Sequence, residues 1–292
     1  MNKKQKKNLY RIIAALVLVL ILKLLPQFPT PVELLLYCIP YLVVGWDVLR
    51  KALLGIKNRQ PFDECFLMAV ATVGAFALGD YVEAYRRHAG KKILNIAMAD
   101  GLSGTYLSAC GAKEMAENKE DIVVYNSRTL CGPHRHLVWK AAQMAQQGKS
   151  LADIVLALDE CTRHCESFLI AQDFEFLRRG GRLTPLAAKF GSALQVKPIM
   201  QQTPDGTRLD AYGISRTIKG AAKKIMHHFQ KKHVGEGYLI SISHARAAKD
   251  ALEIAHIMKE AFAKAKVEIL ELSPVFVTQG GPQCIAIQYI KM

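Results

Sequence analysis

The stretch Lys92-Ile93-Leu94-Asn95-Ile96-Ala97-Met98-Ala99-Asp100-Gly101-Leu102-Ser103-Gly104-Thr105 decides the fold. Residues 93–98 form a short apolar run of strand length. A glycine-containing loop follows, and residues 105–117 then carry a helical pattern. Strand, loop and helix in that order open an α/β unit. Outward toward the C-terminus the alternation continues. Residues 121–125 read as a second strand and 133–147 as a helix closed by Gly148. Ser150 caps a further helix that runs to about Cys165. Residues 168–171 form a third strand. Residues 196–202 and 207–214 flank Pro204-Asp205-Gly206, a hairpin signal. A helix over 216–232, a strand over 238–243, a helix over 247–264 and strands over 267–272 and 284–290 complete the pattern. The expectation is an α/β domain with antiparallel pairing around the hairpin.

Upstream of Lys92 the chain obeys a different logic. Residues 12–25 are apolar except for Lys23, and Pro26, Pro29 and Pro31 then bar a continuous helix. A second apolar run over 32–49 is long enough for a hydrocarbon core of about 30 Å at about 1.5 Å per residue. Lys3, Lys4, Lys6, Lys7 and Arg11 precede the first run, and Arg50, Lys51, Lys57 and Arg59 follow the second. Basic flanks favour the cytoplasmic side. Residues 1–60 are therefore expected to form a transmembrane helical hairpin in contact with membrane lipids at the cell membrane. Both of its ends, and the C-terminal domain, are expected to be cytoplasmic. A third apolar run over 65–79 spans only about 22 Å as a helix. Arg86, Arg87, Lys91 and Lys92 follow it, so it is not expected to cross. Residues 61–91 thus read as a short apolar helix and basic junction, and 92–292 as the folded region.

The formal net charge of +14 in 292 residues invites a nucleic-acid reading. Much of that charge flanks apolar segments, and no nucleic-acid motif is present, so no nucleic-acid partner is expected. Seven cysteines, odd in number and irregularly spaced, read as reduced thiols. Cys161, His164 and Cys165, and Cys131 with His134 and His136, lack the paired spacing of a zinc site.

Three loops could carry chemistry. Gly101-Leu102-Ser103-Gly104-Thr105 offers free N–H groups at a helix start, suited to a carboxylate or phosphate, or simply a helix cap and turn. Leu177-Arg178-Arg179-Gly180-Gly181-Arg182-Leu183 joins a sharp backbone path to arginines that can grip an anion, or is a basic surface turn. Thr278-Gln279-Gly280-Gly281-Pro282-Gln283, between apolar strands, reads as a tight loop under a ligand or as an ordinary turn. There is no nucleophile elbow, Walker loop or H-E-x-x-H motif.

Residues 92–292 resemble the DegV family. The resemblance rests on motifs in family order: the Gly101–Thr105 loop, Tyr125-Asn126-Ser127-Arg128-Thr129, Leu177 to Arg182, Val196-Lys197-Pro198-Ile199-Met200, Asp205-Gly206, Ser215-Arg216 and Gly281-Pro282. It implies a truncated two-lobed α/β fold, with 92–165 as an incomplete first lobe and 166–292 as the second. It further implies a bacterial lipid-binding protein that holds one fatty acid and can present it to a fatty-acid kinase. No other cofactor, no metal and no catalytic residue is implied. The family's carboxylate serine falls on Ser103, with Gly104 and Thr105 beside it. Arg182 matches the arginine of the Gly-Gly-Arg turn, and Arg216 matches a basic position that faces a partner. Gln279, followed by Gly280, stands where many members have histidine, and Asn126 replaces an aspartate. The family's opening segment of about 75–90 residues, with its Thr-Asp-Ser strand end, is not found. In its place residues 10–83 resemble the first membrane segments of zinc/cadmium P-type ATPases, through Ile39-Pro40-Tyr41, Asp47-Val48-Leu49, residues 62–68 and Gly79-Asp80-Tyr81. The phosphorylation loop and nucleotide domain of a pump are missing. Two alternatives to a membrane-tethered fatty-acid-binding protein follow: a non-functional fusion of two fragments, and a phosphoryl-transfer enzyme.

Overall fold

The computed structural model describes Leu18 and residues 80–292, apart from 180, 185, 186 and 188–195. But for Leu18, the expected hairpin and the third apolar run lie outside the described residues. Among the described residues no helix is long and apolar enough to cross a membrane. One compact unit runs from Asp80 to Met292.

The unit begins ahead of the Lys92 boundary, with helix α1 (Asp80–Arg87). Its Tyr85 is buried with Ala112 and Ile122 and accepts a hydrogen bond from Asn95 Nδ2 at 3.0 Å. This helix therefore packs onto the first lobe, with Arg86 and Arg87 exposed to water. Strands β1 (Ile93–Ala97) and β2 (Ile122–Asn126) pair in parallel, from Ile93↔Ile122 to Ala97↔Asn126. Helix α2 (Thr105–Glu114) connects them, as parallel pairing requires a crossover. Helices α3 (Cys131–Gln146) and α4 (Leu151–Arg163) follow. Ser150 caps α4, its Oγ accepting from Asp153 N.

The second lobe is a six-stranded sheet in the order β5-β4-β3-β8-β6-β7. It is built from β3 (Cys165–Ile170), β4 (Lys197–Gln202), β5 (Leu209–Ser215), β6 (Tyr238–His244), β7 (Lys266–Glu271) and β8 (Ile285–Lys291). Every neighbouring pair is antiparallel except β6 with β7. Strand alternation sends Phe168, Ile170, Ile199, Ile240, Ile242, Ile285 and Ile287 to one face. There they are buried under α6 (Ile218–Lys231) and α7 (Ala248–Ala261). The opposite face meets the first lobe. Leu239 and Ile290 pack there against Leu137, Ile154 and Leu158 of α3 and α4. Beside them a polar row crosses the sheet. Gln288 Nε2 donates to Ser167 Oγ at 2.9 Å, Ser241 Oγ donates to Glu268 Oε1 at 3.0 Å, and Gly132 N, at the start of α3, donates to Gln288 Oε1.

Two helices depart from the sequence expectation. Phe174–Arg179 forms α5, too short to show a period. Pro274–Gly280 forms α8, so the loop expected over 278–283 begins only after Gly280. Pro at the first helical turn, where its missing N–H costs nothing, is the physical reason. Cys165 lies in β3 rather than at the end of α4.

Glu166 ties β3 to its surroundings. Its carboxylate takes hydrogen bonds from Gln201 Nε2 (3.0 Å), His228 Nε2 (2.6 Å) and Lys232 Nζ (2.9 Å). Burial works against its ionisation, but the bonds from Lys232 and His228 outweigh that and hold its pKa below the ordinary carboxylate value. A lowered folded pKa adds stability above the unfolded pKa, and that stability is lost as pH falls through the folded value. Glu166→Gln should therefore cost about 1–2 kcal/mol near neutral pH, with the deficit shrinking in acid. Urea unfolding at pH 7 and below pH 4 checks this; an equal deficit at both would refute it.

Candidate functional site

Three loops meet at the C-terminal ends of β1 and β2, where open α/β sheets place their ligand crevices. The first is the loop into α2. Leu102 N and Ser103 N both donate to Ala99 O, at 3.1 and 3.0 Å, and Gly101 N donates to Asp100 Oδ1 at 2.8 Å. Ser103 Oγ accepts from Thr105 N at 3.3 Å. The Ser103 hydroxyl hydrogen is left to donate elsewhere. The N-cap of α2 is Gly104, without a side-chain capping bond, and the first turn carries no acidic residue. Its N–H groups and the positive end of its dipole therefore suit an anion. Thr105 Oγ1 is buried without a hydrogen-bond partner.

The second loop braces the first. Ala99 N donates to Thr129 O, and Ser127 N to Ala97 O. Thr129 Oγ1 donates to Ser127 Oγ at 3.1 Å. Asn126 Oδ1 accepts from Arg128 N at 3.1 Å, an acceptor task that asparagine performs as well as the family's aspartate. Arg128 adopts a φ of 51°.

The third loop is the β4–β5 turn. Asp205 accepts from Thr203 Oγ1 and from both Thr207 N and Thr207 Oγ1. Those bonds, from Thr203 first, hold its carboxyl at about 2. Gly206 (φ 78°) turns beside Arg128, and Gln202 Nε2 donates to Arg128 O and to Gly206 O. A Cβ on Gly101 would lie 2.2 Å from Thr207 O, so the two lobes touch backbone to backbone at this point.

Arg182 completes this cluster, with its Nε donating to Leu102 O at 3.4 Å. Leu209 N donates to Arg182 O at 2.9 Å, and Arg208 Nη1 to Gly181 O at 3.0 Å. Beneath lies an apolar cluster of Ala99, Leu102, Leu177, Leu183, Met200 and Leu209, with Leu169 packed against it. The end of α8 borders that cluster. A Cβ on Gly280 would stand 3.9 Å from Leu169 Cδ1 and 2.8 Å from Cys284 Sγ. Gln279 Oε1 is buried without a partner. Burial pushes the Cys284 thiol up to about 11, leaving it a poor nucleophile.

Ser103, Gly104, Thr105 and Arg182 are thus brought together, and Gly280, next in the chain to Gln279, adjoins their apolar floor. Arg216 is not. It follows β5, whose opposite end, Leu209, bonds Arg182. Seven residues of strand separate the two ends by about 20 Å. Arg216 is exposed at the head of α6. The close approach of Gly101 to Thr207 and the brace at Ser127 escape sequence reasoning, although the Thr203-Pro204-Asp205-Gly206-Thr207 turn is a signal. His134 Nε2 lies 3.1 Å from Ile96 O. Among the described residues no three metal-ligating side chains gather.

A family model for DegV, a family described as uncharacterised, matches residues 68–292. The chain belongs to the DegV family. The match begins within the third apolar run, so residues 68–83, which the sequence alone suggested were part of a pump-like segment, lie inside the DegV region. A DegV domain-containing protein of Clostridium perfringens is 30% identical over 216 residues, which cover 72% of this chain and 75% of the relative. The solved DegV of Bacillus subtilis, described as a fatty acid binding protein, is 25% identical. It has a TM-score of 0.64, over 73% of this chain and 76% of its own. The Fak B3 protein of the Streptococcus pneumoniae fatty acid kinase, solved with linoleic acid, shares the fold. It has a TM-score of 0.64 at 22% identity, over 73% of this chain and 76% of its own. The α/β fold of this DegV chain is therefore that of its family.

Proposed function

We propose that this chain is a membrane-tethered, non-enzymatic carrier that holds one long-chain fatty acid and presents its carboxyl group to a fatty-acid kinase. One observation carries the reading. An unpartnered buried hydroxyl, Thr105 Oγ1, and the free hydroxyl hydrogen of Ser103 share the N-terminus of α2, directly above an apolar cluster. A carboxylate satisfies the polar end, and an alkyl chain matches the apolar one, gaining about 0.8 kcal/mol per buried CH₂. Arg182 steadies the loop through Leu102 O. Gln279 precedes Gly280, which borders the apolar floor, and its buried amide donates and accepts without titrating.

The bound acids of the solved relatives support the ligand class, and the kinase description of the pneumococcal protein supports the partner. The basic-flanked apolar runs of residues 1–60 support the tether and a cytoplasmic domain. A non-functional fusion fits poorly with a site whose loops are braced by buried hydrogen bonds.

The test is to purify the full chain from the membrane fraction, extract it and identify bound acids by mass spectrometry. Ser103→Ala should retain about tenfold less acid or lower still, since a hydrogen bond to a charged group is worth about 1.5–3 kcal/mol. Equal retention removes Ser103 from the site, absence of any acid removes the carrier role, and recovery in the soluble fraction removes the tether.

A further inference from the structure

The face of the six-stranded sheet that meets the first lobe carries a second transverse row, next to the polar one. Direct register pairs run Ala211↔Met200, Met200↔Leu169, Leu169↔Ala286, Ala286↔Ser243 and Ser243↔Leu270. Directly paired residues point to the same face, so these six side chains form one line across all six strands. Met200 and Leu169 belong to the apolar cluster beneath the Ser103 loop. Beyond Leu169 the line continues over two small side chains, Ala286 and Ser243. It is apolar throughout except at Ser243. That residue is 0% exposed, and its Oγ has no hydrogen-bond partner.

The neighbouring row shows what this sheet does with ordinary buried polar groups. Ser167, Gln288, Ser241 and Glu268 bond one another or α3. Buried hydroxyls left unpaired are uncommon and unfavourable. Among the described residues five buried side-chain polar atoms lack partners. Two of them are Thr105 Oγ1 at the head of the path and Ser243 Oγ farther along, and a third is Gln279 Oε1, on the residue before Gly280. Neighbouring strands lie about 4.8 Å apart, which puts Ser243 roughly 10 Å beyond Leu169. That distance lies along the body of an acyl chain, away from its carboxylate.

We infer that the Ala286–Ser243 segment of this row is the floor of the acyl path, and that Ser243 selects a long-chain acid bearing a hydroxyl or keto oxygen on its chain. The inference rests on the fatty-acid reading above and specifies its substrate class. An oxygen placed over Ser243 supplies the missing partner, whereas a plain alkyl chain leaves it unpaired. Ser243→Ala removes the unpaired group, so it should abolish the preference for an oxygenated acid and leave binding of the plain one equal or tighter.

The experiment measures binding of stearic acid and of hydroxystearic acids differing in hydroxyl position to the delipidated full chain, as wild type and as Ser243→Ala. At least one isomer should bind wild type about tenfold more tightly than stearic acid, and Ser243→Ala should bring that ratio close to one. An unchanged thermal unfolding midpoint serves as the control that the variant has folded, and loss of stearic acid binding by the folded variant overturns the inference. No preference for any isomer, or a preference that survives Ser243→Ala, overturns the inference. Failure of every acid to bind wild type instead overturns the carrier reading beneath it.

Discussion

Gly101→Ala should destabilise the Asp80–Met292 unit by about 3 kcal/mol, at the upper end for overpacking, and should empty the binding site. The added methyl would stand 2.2 Å from Thr207 O, 2.4 Å from Thr207 Cα and 2.6 Å from Thr207 C. All three are backbone atoms, so no rotamer change relieves the clash. The first-lobe loop or the β4–β5 turn must move. Either movement strains the bond from Arg182 to Leu102 O and displaces Ser103. For a unit of this size the thermal midpoint should fall by about 6–12 °C. No side-chain substitution at Thr207 should restore it. An unchanged midpoint, or rescue by Thr207→Gly, would show that the lobes do not meet this way.

The second large effect is expected at Gly132, at the start of α3. A Cβ there would lie 2.2 Å from both Cβ and Oγ of Ser241, a fully buried residue of β6. Gly132→Ala should also cost about 3 kcal/mol, because α3 must lift away and loosen the bond from Gly132 N to Gln288. Here the obstacle is a side chain. Ser241→Gly should therefore recover a good part of the loss in the double variant, although it also forfeits the bond to Glu268. Equal unfolding midpoints for Gly132→Ala with and without Ser241→Gly would contradict the contact. The two glycines are thus told apart by whether a second substitution rescues the first.

Much of the fold was legible in the chain. Runs such as 93–98 and 121–125 declare strands because apolar side chains must be hidden on both faces of a parallel pair. Ser150 and Asp205-Gly206 carry their local bonding chemistry on their own side chains. Residues 274–280 mislead because Gly280-Gly281-Pro282 speaks loudly for a turn, while Ser273-Pro274, a quiet helix start, stands six residues earlier. The site was half legible. Ser103 and Thr105 announce themselves by position at the start of a helix. The nearness of Arg182 depends on the β4–β5 turn folding back, and the remoteness of Arg216 depends on the length of β5. Ser243 was invisible, because a transverse row exists only once strand register is known.

The place of β8 has a consequence for how the molecule is made. Residues 285–291 lie between β3 and β6, and all but Lys291 are buried. During synthesis every other strand of the sheet emerges first, yet β3 and β6 cannot be joined until this segment arrives. Until then the nascent chain holds two separate pieces of sheet, β3–β4–β5 and β6–β7, each with an open edge that invites mispairing. Closure is thus a single late event, and a chaperone that shields strand edges is most useful in the interval just before it.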